Sequence, residues 1–153
     1  VILPRYRIAA SRIPGAGKGM FLDEPLARGR IAIAPDAINQ TWTFAEILGD
    51  PARAAQLHTS VRWFEDRYTL SPDWPDECYV NHSFDPTGLW LLGFIFAARD
   101  LDAGEEVTVD YRHLLAPGQE EEFRDAHTGG AIVGYTWNAS LQLGLDSLRR
   151  LLD

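Results

Sequence analysis

The sequence predicts a mainly β domain with a few short helices and one C-terminal helix. Three observations carry that expectation. Short apolar or alternating segments separated by glycine and proline turns fill most of the chain, one capped helical stretch interrupts them, and a leucine-rich segment of helical period closes it. The 153 residues suffice for one domain with its own core. No internal repeat, low-complexity tract or linker divides them, so 1–153 reads as a single unit.

Taken in order, Tyr6-Arg7-Ile8-Ala9 is the first expected strand. Ile13 to Gly19 is a turn-rich loop that opens onto Met20-Phe21-Leu22, and Ala27-Arg28-Gly29 turns the chain into Arg30-Ile31-Ala32-Ile33. Thr43-Phe44-Ala45-Glu46 has the spacing of a helix capping box. Gly49-Asp50-Pro51 interrupts that helix, and a second short one is expected over Ala52 to Val61. Strand character returns at Arg67 to Leu70. Leu91 to Ala97 reads as one buried strand, and Glu106 to Asp110 alternates as a half-buried strand does. Glu120-Glu121-Glu122 reads as a solvated helix face near the tail. Leu141, Leu145, Leu148 and Leu152 fall on one helical stripe, with Asn138 or Ser140 as cap. That stripe is expected to pack back on the domain, with a homodimer contact as its alternative use.

Apolar residues make up 46% and charged residues 24%, the balance of an ordinary globular domain. The net charge of −8 argues against sequence-independent binding to a phosphate backbone and favours a basic partner. Thirteen of the fourteen basic residues are arginine, Lys18 being the one lysine. The longest apolar run, Leu89 to Ala98, is half of what a bilayer span needs. No charged-then-apolar leader opens the chain, so the expectation is a cytoplasmic protein without a membrane segment, secretion staying open because the chain begins at Val1. The single cysteine, Cys78, excludes an internal disulfide and a multi-cysteine zinc cluster. The four histidines show no ligand spacing, and no metal is expected.

Three segments hold residues suited to chemistry. Gly15-Ala16-Gly17-Lys18-Gly19 lets main-chain groups approach a ligand closely, because glycine carries no Cβ. Asn81-His82-Ser83-Phe84-Asp85-Pro86 is a dense polar cluster beside an apolar run. Buried amides and imidazoles need partners, so this cluster either ties the backbone together or faces a polar ligand. Gly104 to Tyr111 is a turn and a strand ending on an acid and a phenol.

Together and in this order, the three segments resemble the SET-domain lysine methyltransferases. Ile13 to Phe21 is similar to that family's opening glycine loop, Asn81 to Pro86 to its asparagine-histidine-serine motif, and Glu105 to Tyr111 to its closing motif ending in the catalytic tyrosine. Phe96 to Gly104 is also typical. The resemblance spans about residues 5 to 112. It implies a SET-type, β-clip fold with a threaded, pseudoknot-like C-terminal segment, divided into an N-terminal β part at 5–39, a variable helical insert at 40–77, a catalytic part at 78–112 and a tail at 113–153. Phe84, Thr87 and Val109 stand where the family often has cysteine, asparagine and an aromatic residue. The family's zinc-cysteine clusters are missing from residues 1–153, so no zinc-binding segment is expected to cover the site.

The resemblance further implies methyl transfer from S-adenosylmethionine to a lysine amine of a basic protein or peptide, leaving S-adenosylhomocysteine. Tyr111 carries over as the catalytic residue, positioning and electrostatics coming before any base role. The backbone around Lys18, Gly19 and Met20, with Asn81 and His82, carries over as the cofactor site. Trp137 is the candidate to cover the cofactor's open side in place of a zinc segment. Tyr68, Trp90 and Val109 are expected in the substrate channel, where aromatic walls suit a lysine. A non-catalytic module that binds S-adenosylmethionine or a basic peptide, or an interaction protein, is the alternative from another class.

Overall fold

A computed structural model describes residues 1–153. Strands β1 (Tyr6–Ala10) and β2 (Lys18–Leu22) form a hairpin around the glycine loop, in register from Tyr6 opposite Leu22 to Ala10 opposite Lys18. β2 continues the sheet to β9 (Glu106–Val109), and β9 pairs in parallel with the two-residue β6 (Asn81–His82). The sheet order is therefore β1-β2-β9-β6, which sets the three chemically suggestive segments side by side. A second sheet holds β3 (Ile31–Ile33), β8 (Phe94–Ala97) and β7 (Gly88–Leu91) in the order β3-β8-β7. Met20, Leu22, Val107 and Val109 of the first sheet meet Ile33, Ile95 and Ala97 of the second in the main core. The chain is mainly β, with short helices and a C-terminal helix, and no helix is long and apolar enough to cross a membrane.

The region between the sheets begins with α1 (Phe44–Leu48), whose capping box forms as expected: Thr43 Oγ1 accepts from the Glu46 amide and Glu46 accepts from the Thr43 amide. The next helix is shorter than expected. α2 (Pro51–Ala54) stops after one turn, a 3-10 turn covers Leu57–Thr59, and β4 (Val61–Phe64) pairs with β5 (Arg67–Thr69). β-Branched Val61 and aromatic Trp63 and Phe64 favour an extended chain there.

Three further expectations are corrected. The apolar run Leu91 to Ala97 is two strands, because Leu92 and Gly93 both take positive φ, 51° and 83°, and close a two-residue hairpin. A leucine at the turn hides the break from any hydropathy pattern. Trp63 lies so close to Gly93 that a Cβ would sit 2.4 Å from its ring, so only glycine fits. The run Glu120 to Glu122 belongs to a strand, β10 (Glu120–Arg124), paired with β11 (Ala131–Val133), where a helix face was expected.

Helix α3 (Trp137–Leu152) exists, capped by Thr136 rather than Asn138 or Ser140, but it presents a different face. Ser140 and Gly144 are its buried residues, while Leu145 and Leu152 are 48% and 78% exposed. A Cβ on Gly144 would come within 2.9 Å of Leu91 Cδ1. The helix therefore approaches β7 through its small residues, which turns half of the leucine stripe to solvent.

Candidate functional site

The site is built around the end of β9. All four residues of β9 are buried, where a half-buried strand was expected, because β2 and β6 flank it and the second sheet packs on it, and the buried Glu106 carboxylate joins three segments. Glu106 Oε1 accepts from Ser11 Oγ at 2.7 Å and Asn81 Nδ2 at 3.0 Å, and Oε2 accepts from the Arg12 amide at 3.0 Å. A Cβ at Gly19 would sit 2.2 Å from Glu106 Oε1, so any larger residue would push the carboxylate off these hydrogen bonds. Asn81 Nδ2 donates its second hydrogen to the Lys18 carbonyl at 2.9 Å. Both Asn81 amide hydrogens thus hold the glycine loop to β6 and β9, leaving Oδ1 as the acceptor without a protein partner.

His82 packs edge-on against Phe84 and Tyr111, with ring centroids at 4.9 and 5.3 Å. Its Nδ1 accepts from the Tyr111 amide at 3.1 Å, which places the ring proton on Nε2. That N–H faces Asp125 Oδ1 at 3.4 Å, an oxygen that already accepts from the Phe84 amide, and it finds no good hydrogen bond. Burial is the largest influence on His82 and pushes its pKa below the ordinary imidazole value, against the charges of Asp110 and Asp125. The ring is neutral near pH 7. Burial acts against the charge of Asp125 too, but the amides of Thr128 and Phe84 and the Thr128 hydroxyl hold its carboxyl at about 2.

Tyr111 opens the 3-10 turn that follows β9. Its hydroxyl donates to the Val80 carbonyl at 2.7 Å. Burial above all, with the charges of Glu121 and Cys78 behind it, pushes the phenol far above its ordinary value, so it stays protonated. Next to it Arg112 grips Asp110 with two of its nitrogens and lies over the Phe84 ring at 4.0 Å.

Two openings meet at Tyr111. A small cleft of about 60 Å³ is lined by Ile13, Ala16, Asn81, His82, Phe123 and Arg124, with Ala126. A cavity of about 460 Å³ lies on the other side, with Trp42, Trp63, Trp74 and Trp90 in its walls together with Val109. Asp36, Glu77 and Glu121 also line it, and no lysine or arginine does. Tyr111 is the one residue that borders both.

Of the sequence-predicted positions, Asn81, His82 and Tyr111 share the small cleft, and Trp90 and Val109 share the large cavity with Tyr111. Lys18, Gly19 and Met20 lie in β2 beside the cleft, with the Lys18 side chain exposed, Gly19 against Glu106 and Met20 in the core. Two are elsewhere. Tyr68 is fully buried in the small core with Ile47 and Ala116 and does not border the cavity, its ring centroid 5.8 Å from that of Phe44. Trp137 borders neither opening and lies beside the Arg62 guanidinium at 6.0 Å. The tail reaches the cleft instead through Phe123, whose ring is 6.2 Å from that of Tyr111, and Arg124. The period-two spacing of Glu121 and Phe123 was the available signal, masked by the acidic run around them.

Compared with models of known protein families the chain matches none, and no curated protein matches its sequence.

Proposed function

We propose that the protein is an S-adenosylmethionine-dependent protein-lysine N-methyltransferase with a SET-type fold. The observation that carries this reading is Tyr111, the single side chain at the meeting of a polar cleft and an aromatic, acid-lined cavity. Such a layout suits a two-substrate transfer in which donor and acceptor enter from opposite sides. Support for the fold comes from the parallel β6–β9 pairing and from the cross-bonds Ser83 N–H to Val109 O and Tyr111 N–H to His82 Nδ1, which lock the polar motif against the tyrosine strand. In a SET-type fold these contacts belong to the threaded segment.

The cleft residues fit the cofactor in chemistry. Asn81 Oδ1 is an acceptor without a partner, His82 Nε2–H is an unsatisfied donor in the wall, Phe123 offers a ring face and Arg124 a cation for a carboxylate. The enclosed volume takes only part of a nucleoside ligand, so the remainder rests on the open surface by the glycine loop. S-adenosylmethionine supplies an electrophilic methyl group on a sulfonium. The protein's own contribution is alignment and polarity. Tyr111, kept neutral, offers hydroxyl lone pairs where positive charge shifts, and its bond to Val80 O fixes the orientation. Trp90 and Val109 pack the methylenes of a lysine, and the −8 net charge steers a basic substrate inward.

Incubation with isotopically labelled S-adenosylmethionine and a mixed protein extract, followed by mass spectrometry, should find labelled lysines. Calorimetry showing no binding of S-adenosylmethionine or S-adenosylhomocysteine would overturn the reading. Binding without any transfer would favour the non-catalytic module.

A further inference from the structure

Glu121 lies in the tail, outside the segment that carries the family resemblance, and points from β10 into the wall of the large cavity. It shares that wall with Tyr111, Cys78 and the indoles of Trp63, Trp74 and Trp90. Burial is the main influence on its carboxyl and the charge of Glu122 the second. Both push it above the ordinary value, and no cation or hydrogen-bond donor acts the other way. A half-enclosed carboxylate without a counter-charge is costly, and the cost is relieved when a cation arrives. Lysine and arginine are absent from the cavity, and its one cation, the Val1 amino group, is paired with Asp36 at 3.0 Å and lies 3.8 Å from Glu77, so Glu121 keeps no counter-charge of its own and the relief is left to a ligand.

We propose that Glu121 is the cation-recognising group of the large cavity, which takes an alkylammonium side chain with its methylenes among the tryptophans and its ammonium paired with this carboxylate. The placement supports this. Glu121 and Phe123 are two apart on one strand and flank Tyr111, Glu121 on the cavity side and Phe123 on the cleft side. An ammonium held by Glu121 is thereby held at the Tyr111 end, and a neutral chain of the same length has no partner there. The methyltransferase reading enters only in naming the amine as lysine; on that reading the ammonium is the form that docks, and it gives up one proton to water before its freed lone pair takes the methyl group.

Because the pair requires an ionised carboxylate, binding should weaken as pH falls through the raised Glu121 value. The other titratable groups facing Glu121 are Tyr111, Cys78 and, further round the cavity, Glu77, Asp36, His58 and the Val1 amino group that pairs with Asp36, with Glu122 on its own strand; β11 alongside brings only Ala131, Ile132 and Val133.

The test uses the tryptophan fluorescence of the whole protein, titrated with n-hexylammonium and with n-hexanol at pH 8. The wild type should prefer the ammonium by at least about tenfold, and Glu121→Gln should bring the two ligands to parity while leaving hexanol binding unchanged. Glu121→Asp should keep part of the preference, which guards against a folding artefact. Glu77→Gln should keep all of it. Absence of a preference in the wild type, its survival in Glu121→Gln, or its loss in Glu77→Gln overturns the assignment. Cofactor binding by calorimetry on the same samples separates the two claims. Ammonium preference without cofactor binding retires the methyltransferase reading alone, and cofactor binding without ammonium preference retires only the role of Glu121.

Discussion

At the scale of single residues, Tyr111 borders both openings and holds its hydroxyl through one bond to Val80 O. Tyr111→Phe keeps the ring and its edge contacts with His82 and Phe123, so the fold should survive with a loss of ~1 kcal/mol. Cofactor affinity should stay within a few-fold by calorimetry, while turnover on a verified lysine substrate drops by about a hundredfold or more. Turnover equal to wild type would remove Tyr111 from the chemistry. Phe123→Ala is the complementary change. It strips an exposed ring from the cleft wall, so it should weaken S-adenosylmethionine binding by about 1 kcal/mol and leave the melting temperature nearly unchanged. Trp137→Ala should do the opposite, since Trp137 stacks near buried Arg62 and borders no opening.

Among the elements, the glycine loop is shaped less by its glycines than by one carboxylate on another strand. Glu106→Ala leaves Ser11 Oγ, the Arg12 amide and one Asn81 hydrogen without their acceptor, a loss on the order of 3 kcal/mol seen in urea unfolding. Asn81→Ala should cost less stability but loosen the same loop, weakening cofactor binding. Helix α3 offers a second contrast. Gly144→Leu should destabilise by about 1–3 kcal/mol, because the new side chain meets Leu91, whereas Leu145→Ser on the exposed face should change stability by less than about 0.5 kcal/mol. A large loss from Leu145→Ser would mean that the outward face is covered in solution.

For the whole molecule, buried imidazoles make stability depend on pH. His82 and His113 both have pKa values lowered chiefly by burial, so the unfolded chain takes up protons near pH 6.5 that the folded one refuses. Stability is complete above that range and declines as pH falls through it, until the folded imidazoles titrate. Asp125, with its carboxyl held at about 2, adds a second loss below about pH 4, where the unfolded carboxylate protonates first. Urea unfolding at pH 7, 5 and 3 should show progressively lower stability, and His113→Gln should flatten the first step. A pH-independent midpoint between 7 and 5 would contradict this placement of the imidazoles.

Local chemistry was legible wherever neighbours in sequence carry the signal. The capping box at Thr43–Glu46, the hairpin strands around the glycine loop, the strand at Glu106, though not the burial of both its faces, and the terminal helix all follow from side-chain period and turn residues. The order of the motif segments also pointed to one site around Asn81, His82 and Tyr111. What escaped depends on contacts between distant residues. The turn at Leu92 is set by Trp63 pressing on Gly93, the strand at Glu120 exists because Ala131–Val133 pairs with it, and the buried face of α3 is chosen by Leu91. Glu121 and Phe123 joined the site by the same route. A sequence determines the hydrogen-bonding and hydrophobic habits of each stretch, but only the folded chain decides which of several compatible faces is covered, because burial is a property of pairs of surfaces and not of either one alone.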